Sequence, residues 1–100
     1  MSILDLIVAD KRIEITQRKK LFPSSYWESS PLFERQSNSL VKSLSGSNSG
    51  IIAEHKRRSP SKPQIKLQSR AAAVAAGYEQ AGVAAMSVLS NGQYFGGSLE

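Results

Sequence analysis

The segment that decides the fold runs from residue 51 to residue 62 and reads IIAEHKRRSPSK. It opens with a short apolar run after a loop rich in Ser and Gly, which is the pattern of a buried strand. Side chains alternate along a strand with a period of two, so Ile52, Glu54 and Lys56 should share one face while His55 points to the other. We therefore predict a strand that ends with a carboxylate and an ammonium on the same side.

A helix and a second strand are predicted downstream of this segment. Residues 71–81 are strong helix formers, with Ser69 as the expected N-cap and Gly82 at the glycine position that ends many helices. Residues 83–89 are a nearly continuous apolar run, which is typical of a parallel strand with both faces covered. This order predicts a right-handed parallel βαβ unit, followed by a loop over 90–98. The residues expected on the buried side of the helix are Val74, Tyr78 and Ala81.

The part of the chain before residue 24 is predicted to be a helix over residues 2–20. Ser2 and Asp5 have the spacing of a capping box, in which each residue bonds the backbone of the other. Three cations, residues 18–20, lie where they favour the negative end of the helix dipole. Pro23 then prevents simple continuation of the helix.

The segment between that helix and residue 51 is predicted to be mostly irregular. Residues 23–36 should lack regular structure, residues 37–44 should form a short helix, and residues 45–50 should be a flexible connection. We expect a helical extension and linker over 1–49 and a separate, incomplete domain over 50–100. The side chains expected to pack inward from these segments are Tyr26, Trp27, Leu32, Phe33, Leu40, Val41 and Leu44.

Composition limits the class of protein and the kind of partner. The chain has 100 residues, no cysteine and a formal net charge of +5. The absence of cysteine excludes disulfides and Cys-based zinc sites, and no apolar run reaches the roughly 20 residues of a membrane span. An acid at position 5, where a secretory signal would be basic, favours a soluble cytoplasmic protein. The basic balance favours an anionic partner.

Glu54 and Lys56 are the side chains most suggestive of chemistry. They lie at the carboxyl end of the predicted first strand, which is the end where parallel βα folds bind ligands. One interpretation is a substrate-binding lysine held by a neighbouring acid. The other is a solvated strand end with incidental charges, and spacing alone does not choose between them.

Residues 52–62 resemble the first barrel strand of indole-3-glycerol-phosphate synthases, whose signature is Glu-x-Lys-x-x-Ser-Pro-Ser. The stretches 78–82, 87–90 and 94–99 are similar to that family's first helix end, second strand and following loop, and the opening residues resemble its extra N-terminal helix. The resemblance implies an α/β fold, the N-terminal part of a (βα)8 TIM barrel preceded by a helical segment. On this interpretation the chain stops after the second strand.

The resemblance also implies a reaction and roles for individual residues. The family is a carboxy-lyase of tryptophan biosynthesis that closes the indole ring of 1-(2-carboxyphenylamino)-1-deoxyribulose 5-phosphate, without metal or cofactor. Lys56 would bind and position this phosphorylated substrate, and Glu54 would hold the polar network around the reacting centre. Ser59 would shape the site at the strand exit, and Phe95 would line the pocket for the anthranilate ring.

The family's general acid, general base and phosphate-binding residues belong to later strands. The resemblance therefore implies that residues 1–100 alone are inactive and need the rest of the barrel in cis or in trans. Three positions depart from the family's pattern, and Pro63 in particular restricts the conformation of the first active-site loop. The departures are Pro63 for a frequent Gly, Ser90 for a frequent Thr and Asn91 for a frequent Asp.

Three rival interpretations use the same residues. The basic run 56–62 could be a nucleic-acid contact, although no nucleic-acid-binding motif surrounds it, so we expect no nucleic-acid or membrane partner. A different phosphate-handling barrel, such as a phosphoribosyl isomerase, would keep the fold, and a non-catalytic half-barrel would act only by association. His55 is expected to be structural because it points to the other face of the strand, and a single histidine without cysteines argues against a metal site.

Overall fold

The computed structural model describes residues 1–99, in which two strands and five helices follow one another along the chain. Contacts divide these residues into two units, Met1–Ser37 and the part from Asn38 onward. The predicted division into a helical extension over 1–49 and an incomplete domain over 50–100 stays a prediction. The elements are α1 (Ile3–Leu21), α2 (Ser24–Glu28), α3 (Leu40–Ser45), β1 (Ile52–His55), α4 (Ala71–Gln80), β2 (Ala85–Val88) and α5 (Gly92–Phe95).

Helix α1 begins with the capping box that the sequence predicts. The Oγ of Ser2 accepts a hydrogen bond from the Asp5 backbone N–H at 3.1 Å, and the Asp5 carboxylate accepts one from the Ser2 N–H at 3.1 Å. These bonds satisfy amide groups that have no partner within the helix. Arg18, Lys19 and Lys20 occupy the last turn, as expected for cations near the carboxyl end of a helix. The helix predicted over 2–20 is confirmed.

The capping box gives α1 a pH dependence that can be measured. The hydrogen bonds from the Ser2 backbone and hydroxyl lower the pKa of Asp5. A carboxylate whose pKa is lower in the helix than in the coil favours the helix above its coil pKa, and this contribution is lost as pH falls through the helix pKa. We expect a peptide of residues 1–22 to lose helicity as pH falls below about 4, the ordinary pKa of an aspartate, measured by circular dichroism.

An Asp5→Asn peptide is the matched control for that titration. It should lose less helicity over the same pH range. The loss that it still shows should come from protonation of Glu14. A hydrogen bond from Lys11 lowers the pKa of Glu14, and the pair lies at 2.6 Å. Identical titration curves for the two peptides would contradict a role for the capping box.

The segment after α1 contains a short helix where irregular structure was predicted. Pro23 is the N-cap of α2, a position at which the missing N–H of proline does no harm. Phe22, Tyr26 and Trp27 contact one another, with ring centroids 5.0 to 6.0 Å apart. Tyr26 and Trp27 are nevertheless each 53% exposed. The expectation that they are packed inward is wrong for the described residues.

Helix α3 begins later than predicted and buries less. Ser39 is its N-cap and accepts a hydrogen bond from the Lys42 N–H at 3.2 Å. The helix therefore begins after this serine and does not include the residues before it. Leu44 is half-buried, whereas Leu40 and Val41 are exposed. The prediction of three inward side chains therefore holds for Leu44 alone. The short helix contacts β2.

The central feature of the second unit is a two-stranded parallel sheet. Strands β1 and β2 pair in parallel, with Ile52 opposite Ala85 and His55 opposite Val88. Helix α4 connects them and contacts both. The predicted parallel strand–helix–strand order is confirmed, with strands of four residues each. The chain is thus α/β with two parallel strands.

Helix α4 differs from its prediction in its N-cap and in one of the three side chains expected to be buried. Arg70, not Ser69, is the N-cap, and its side chain makes no capping bond. Ser69 is instead committed to His55 and to the Lys66 carbonyl. Gly82 follows the C-cap with φ +83°, as predicted for a helix ended by glycine. Ala81 is exposed, while Val74 and Tyr78 are half-buried.

Side chains on both faces of the sheet are partly exposed in residues 1–99, since Ile52 and Val88 lie on opposite faces. Ile52 is 50% exposed and Val88 is 46% exposed, and no hydrophobic residue among those described is fully buried. The prediction that both faces are covered is therefore wrong for these residues. The reason is that two strands of four residues and one connecting helix present too little apolar surface to cover both faces.

Helix α5 is a single turn within the predicted loop 90–98. Asn91 caps it by accepting a hydrogen bond from the Tyr94 N–H at 2.8 Å. Gly96 ends it with φ +64°, a conformation that glycine adopts without steric cost. This turn places Phe95 beside the carboxyl end of β1.

Candidate functional site at the carboxyl end of the first strand

The site begins with an ion pair on one face of β1. The Nζ of Lys56 lies 3.0 Å from the Oε1 of Glu54, two residues earlier on the same side of the chain. Burial alternates along the strand as a period of two requires, with Glu54 exposed and His55 buried. The Lys56 side chain is 33% exposed and that of Glu54 is 44% exposed, so the pair is open to an incoming ligand.

Phe95 contacts Lys56 at the carboxyl-terminal edge of the sheet. The Lys56 ammonium lies 5.7 Å from the centroid of the Phe95 ring, within the range of a cation–π interaction. The ring comes from the loop after β2, 39 positions along the chain by residue number. Parallel strands present their carboxyl ends at one edge, which is why these two loops meet there. Three of the four predicted site residues are thus neighbours.

Ser59, the fourth predicted residue, lies in a tight turn of its own. The Ser59 N–H donates to the Lys62 carbonyl at 2.9 Å, and the Lys62 N–H donates to the Ser59 carbonyl at 3.1 Å. The Ser59 Oγ accepts from the Lys62 N–H at 3.1 Å and lies 3.3 Å from the Ser61 Oγ. The hydroxyl therefore shapes the turn that precedes Pro63, and its contacts are with this turn rather than with Glu54 or Lys56.

His55 occupies the face of β1 opposite the ion pair, as predicted. It is 6% exposed, and its Nε2 lies 2.9 Å from the Oγ of Ser69. The Ser69 hydroxyl donates its single hydrogen to the Lys66 carbonyl at 2.9 Å, so His55 Nε2–H must be the donor to Ser69. The ring thus links β1 to the loop before α4 and is directed away from Lys56.

Arg57 and Arg58 have roles that pattern alone did not identify. Arg57 Nε donates to the Ser69 carbonyl at 2.9 Å, and its Nη1 donates to the Gly96 carbonyl at 3.3 Å. Arg58 Nη2 donates to the carbonyls of Gly92 at 2.6 Å and Gln93 at 3.0 Å. Both guanidinium groups therefore bind backbone carbonyls within the protein. Two of the cations in the run 56–62 are already paired in this way.

A shallow pocket lies along the free edge of β1, next to the ion pair. The hydroxyl of Tyr78 donates to the Glu54 carbonyl at 3.3 Å and closes one side of it. Helix α4 supplies the apolar wall, and the loop before it supplies a second lysine. The residues lining this pocket are Glu54, His55, Lys56, Ile65, Lys66, Ser69, Val74 and Tyr78.

Metal-binding clusters and membrane-spanning helices are both absent from the part of the chain that the structure describes. Residues 1–99 hold no group of three His, Asp or Glu side chains close enough to bind a metal ion. None of the helices in this range has both the length and the apolar character needed to cross a lipid bilayer.

Comparison with known proteins assigns the family. Residues 4–100 match the family model described as indole-3-glycerol phosphate synthase. The chain is 40% identical over 98 residues to the indole-3-glycerol phosphate synthase of Bacteroides thetaiotaomicron, covering 98% of this chain and 38% of that protein. It is 41% identical over 101 residues to the synthase of Salinibacter ruber, covering 100% of this chain and 37% of that protein. The chain therefore spans less than two fifths of the length of these relatives, and it belongs to the indole-3-glycerol phosphate synthase family.

Proposed function

We propose that this chain supplies part of the substrate site of an indole-3-glycerol phosphate synthase. The reaction would be the decarboxylating and dehydrating ring closure of 1-(2-carboxyphenylamino)-1-deoxyribulose 5-phosphate, which makes the protein a carboxy-lyase of tryptophan biosynthesis. The observation that carries the proposal is the grouping of Glu54, Lys56 and Phe95 at the carboxyl end of β1. Family membership supplies the reaction, and this grouping supplies residues suited to it.

Lys56 is the residue we assign to binding and positioning the substrate anion. An ammonium is a compact charge that pairs with a carboxylate or phosphate from many directions. Its partial burial, at 33% exposed, strengthens such a pairing relative to a fully solvated lysine. A charge that is already in place also stabilises negative charge as it develops during ring closure.

Glu54 is the residue we assign to holding that ammonium in place. Its carboxylate pairs with Lys56 at 3.0 Å, which restricts a side chain that otherwise has four rotatable bonds. When a substrate anion binds, the ammonium can contact both groups, because it has three hydrogens to donate. Glu54 thus holds the ammonium in position and can stay paired with it when the substrate binds.

Phe95 and Ser59 are proposed to shape the pocket. The Phe95 ring already lies against a cation at 5.7 Å, and its remaining surface is apolar, which suits an anthranilate ring. Ser59 would act through the turn it stabilises at the strand exit, since its hydroxyl bonds within that turn. Its role is to shape the loop.

The wider organisation belongs to the same proposal. The two parallel strands would form the start of a (βα)8 barrel, with residues 1–49 as a helical extension and 50–100 as part of the barrel domain. We propose a cytoplasmic enzyme that uses no metal or organic cofactor and binds neither nucleic acid nor membranes. The remaining acid–base and phosphate-binding groups would come from other parts of the barrel, in cis or in trans.

The test is turnover by the intact protein that carries this segment. We expect it to convert the anthranilate-derived ribulose phosphate to indole-3-glycerol phosphate, with release of carbon dioxide, measured by product chromatography. Residues 1–100 alone should give no product, because general acid–base catalysis requires all partners within hydrogen-bonding distance.

Two results would count against this proposal. An intact protein that leaves this substrate unchanged but isomerises a phosphoribosyl substrate would favour a different barrel enzyme. Product formation by residues 1–100 alone would show that the described residues contain the whole catalytic set, against the proposed division of the site.

A further inference from the structure

Arg58 joins the loop after β1 to the loop after β2. Its Nη2 donates to the Gly92 carbonyl at 2.6 Å and to the Gln93 carbonyl at 3.0 Å, across separations of 34 and 35 positions. Both acceptors belong to helix α5, which is a single turn. The residue therefore binds the element that carries Phe95, although it follows Lys56 in the chain by only two positions.

A helix as short as α5 depends on contacts from outside itself. One turn forms too few internal hydrogen bonds to offset the entropy of ordering its backbone. The last carbonyls of a helix also have no partner within it, and the Gln93 carbonyl is one of these. A guanidinium supplies charged donors to these carbonyls, and hydrogen bonds to a charged group are stronger than neutral ones.

The absence of a side chain at Gly96 leaves room for Arg58 to pack against the end of α5. Gly96 ends α5 against the side chain of Arg58, and a Cβ added there would lie 2.9 Å from the Arg58 Nε and 3.2 Å from its Cγ. The arginine thus packs along the end of α5 as well as bonding its carbonyls. Contacts of both kinds hold the turn that presents Phe95.

We propose that Arg58 is a positioning residue that holds α5 so that the Phe95 ring stays beside Lys56. The proposal rests on the proposed function, in which Phe95 and Lys56 contact the substrate, and it adds Arg58 as a residue that does not itself contact the substrate. Arg58 acts through Phe95. Without it, α5 would sample other conformations, and the aromatic wall of the site would be present for only part of the time.

The first measurement is amide hydrogen exchange in the intact protein, which does not depend on activity. Arg58→Met keeps most of the side-chain length but removes the donors. We expect exchange in residues 91–97 to become about tenfold faster, while residues 3–21 exchange at the wild-type rate. Arg58→Lys, which keeps one charged donor group, should fall between the two. Arg35→Met is the matched control, because Arg35 is an exposed arginine in the first unit.

The second measurement is steady-state kinetics with 1-(2-carboxyphenylamino)-1-deoxyribulose 5-phosphate. Arg58→Met should raise KM about tenfold and leave kcat within about threefold, because loss of ground-state binding affects KM. In a Phe95→Leu background the same substitution should raise KM less than about twofold, since coupled residues are not additive. A merely structural arginine would lower the amount of active enzyme and leave KM unchanged.

The outcomes separate this inference from the proposed function. Unchanged exchange in residues 91–97, or an Arg58 effect that is the same with and without the Phe95 ring, would overturn the positioning role. A wild-type protein that does not turn over this substrate would overturn the proposed function, and the exchange data alone would then decide whether Arg58 holds α5. If Arg58→Met fails to fold, the Arg58→Lys protein carries the same comparison.

Discussion

Replacement of Lys56 by alanine is expected to lower kcat/KM for indole-ring closure by about a thousandfold, with the fold retained. The ammonium pairs with Glu54 at 3.0 Å and lies 5.7 Å from the centroid of the Phe95 ring, and alanine leaves the substrate anion without this charge. The side chain is one third exposed, so its removal creates no closed cavity in the sheet. Steady-state kinetics of the intact protein measures the loss, and circular dichroism checks the fold.

A matched substitution separates this effect from a change in net charge. Lys42→Ala removes an exposed lysine from α3, and we expect kcat/KM within about twofold of wild type, since surface substitutions away from a site have small effects. Lys56→Arg should recover only part of the activity, because a planar guanidinium does not reproduce the geometry of an ammonium. Turnover by Lys56→Ala at the wild-type rate would remove the basis of the proposed site.

Replacement of Gly97 by alanine is expected to destabilise the intact protein by about 3 kcal/mol. A Cβ at this position would overlap the carbonyl oxygen of Leu89 and lie 2.7 Å from the Cα of Ser90. Both neighbours are backbone atoms, so they cannot rotate away as a side chain would. The segment leaving β2 would have to shift, together with the Gly97 N–H that donates to the Asn91 carbonyl at 2.9 Å.

The control for this prediction is the same substitution at Gly77. A Cβ added at Gly77, which is within α4, would meet no atom within 4 Å apart from its chain neighbours and the nearby backbone of its own helix. Alanine favours a helix over glycine by about 1 kcal/mol, so Gly77→Ala should stabilise the protein slightly. Urea unfolding of both variants measures the difference. Equal free energies of unfolding would contradict the steric argument at Gly97.

The features that sequence predicted well are those set by local periodicity. The capping box at Ser2 needs residues three positions apart, and the alternation of Glu54 and His55 needs only a strand. The family resemblance predicted that Lys56 and Phe95 belong to one site. The parallel order of the strands explains why they lie close together. Each of these inferences depends on spacing along the chain or on topology, both of which a sequence carries.

The features that sequence missed depend on contacts between distant segments. Ser69 has the right type and position for an N-cap, but the His55 ring and the Lys66 carbonyl compete for its hydroxyl. The short helix α5 was predicted as loop because four residues have no periodicity to detect. Burial of the strands was overestimated because an apolar sequence does not specify which surface covers it.

The close approach of Arg58 to Gly96 also has an evolutionary consequence. Since any Cβ at position 96 would meet the arginine side chain, the two positions should change together among relatives. Lineages that acquire a larger residue at 96 should carry a shorter or more flexible one at 58. An alignment in which bulky residues at 96 coexist freely with arginine at 58 would show that natural selection tolerates rearrangement of this contact.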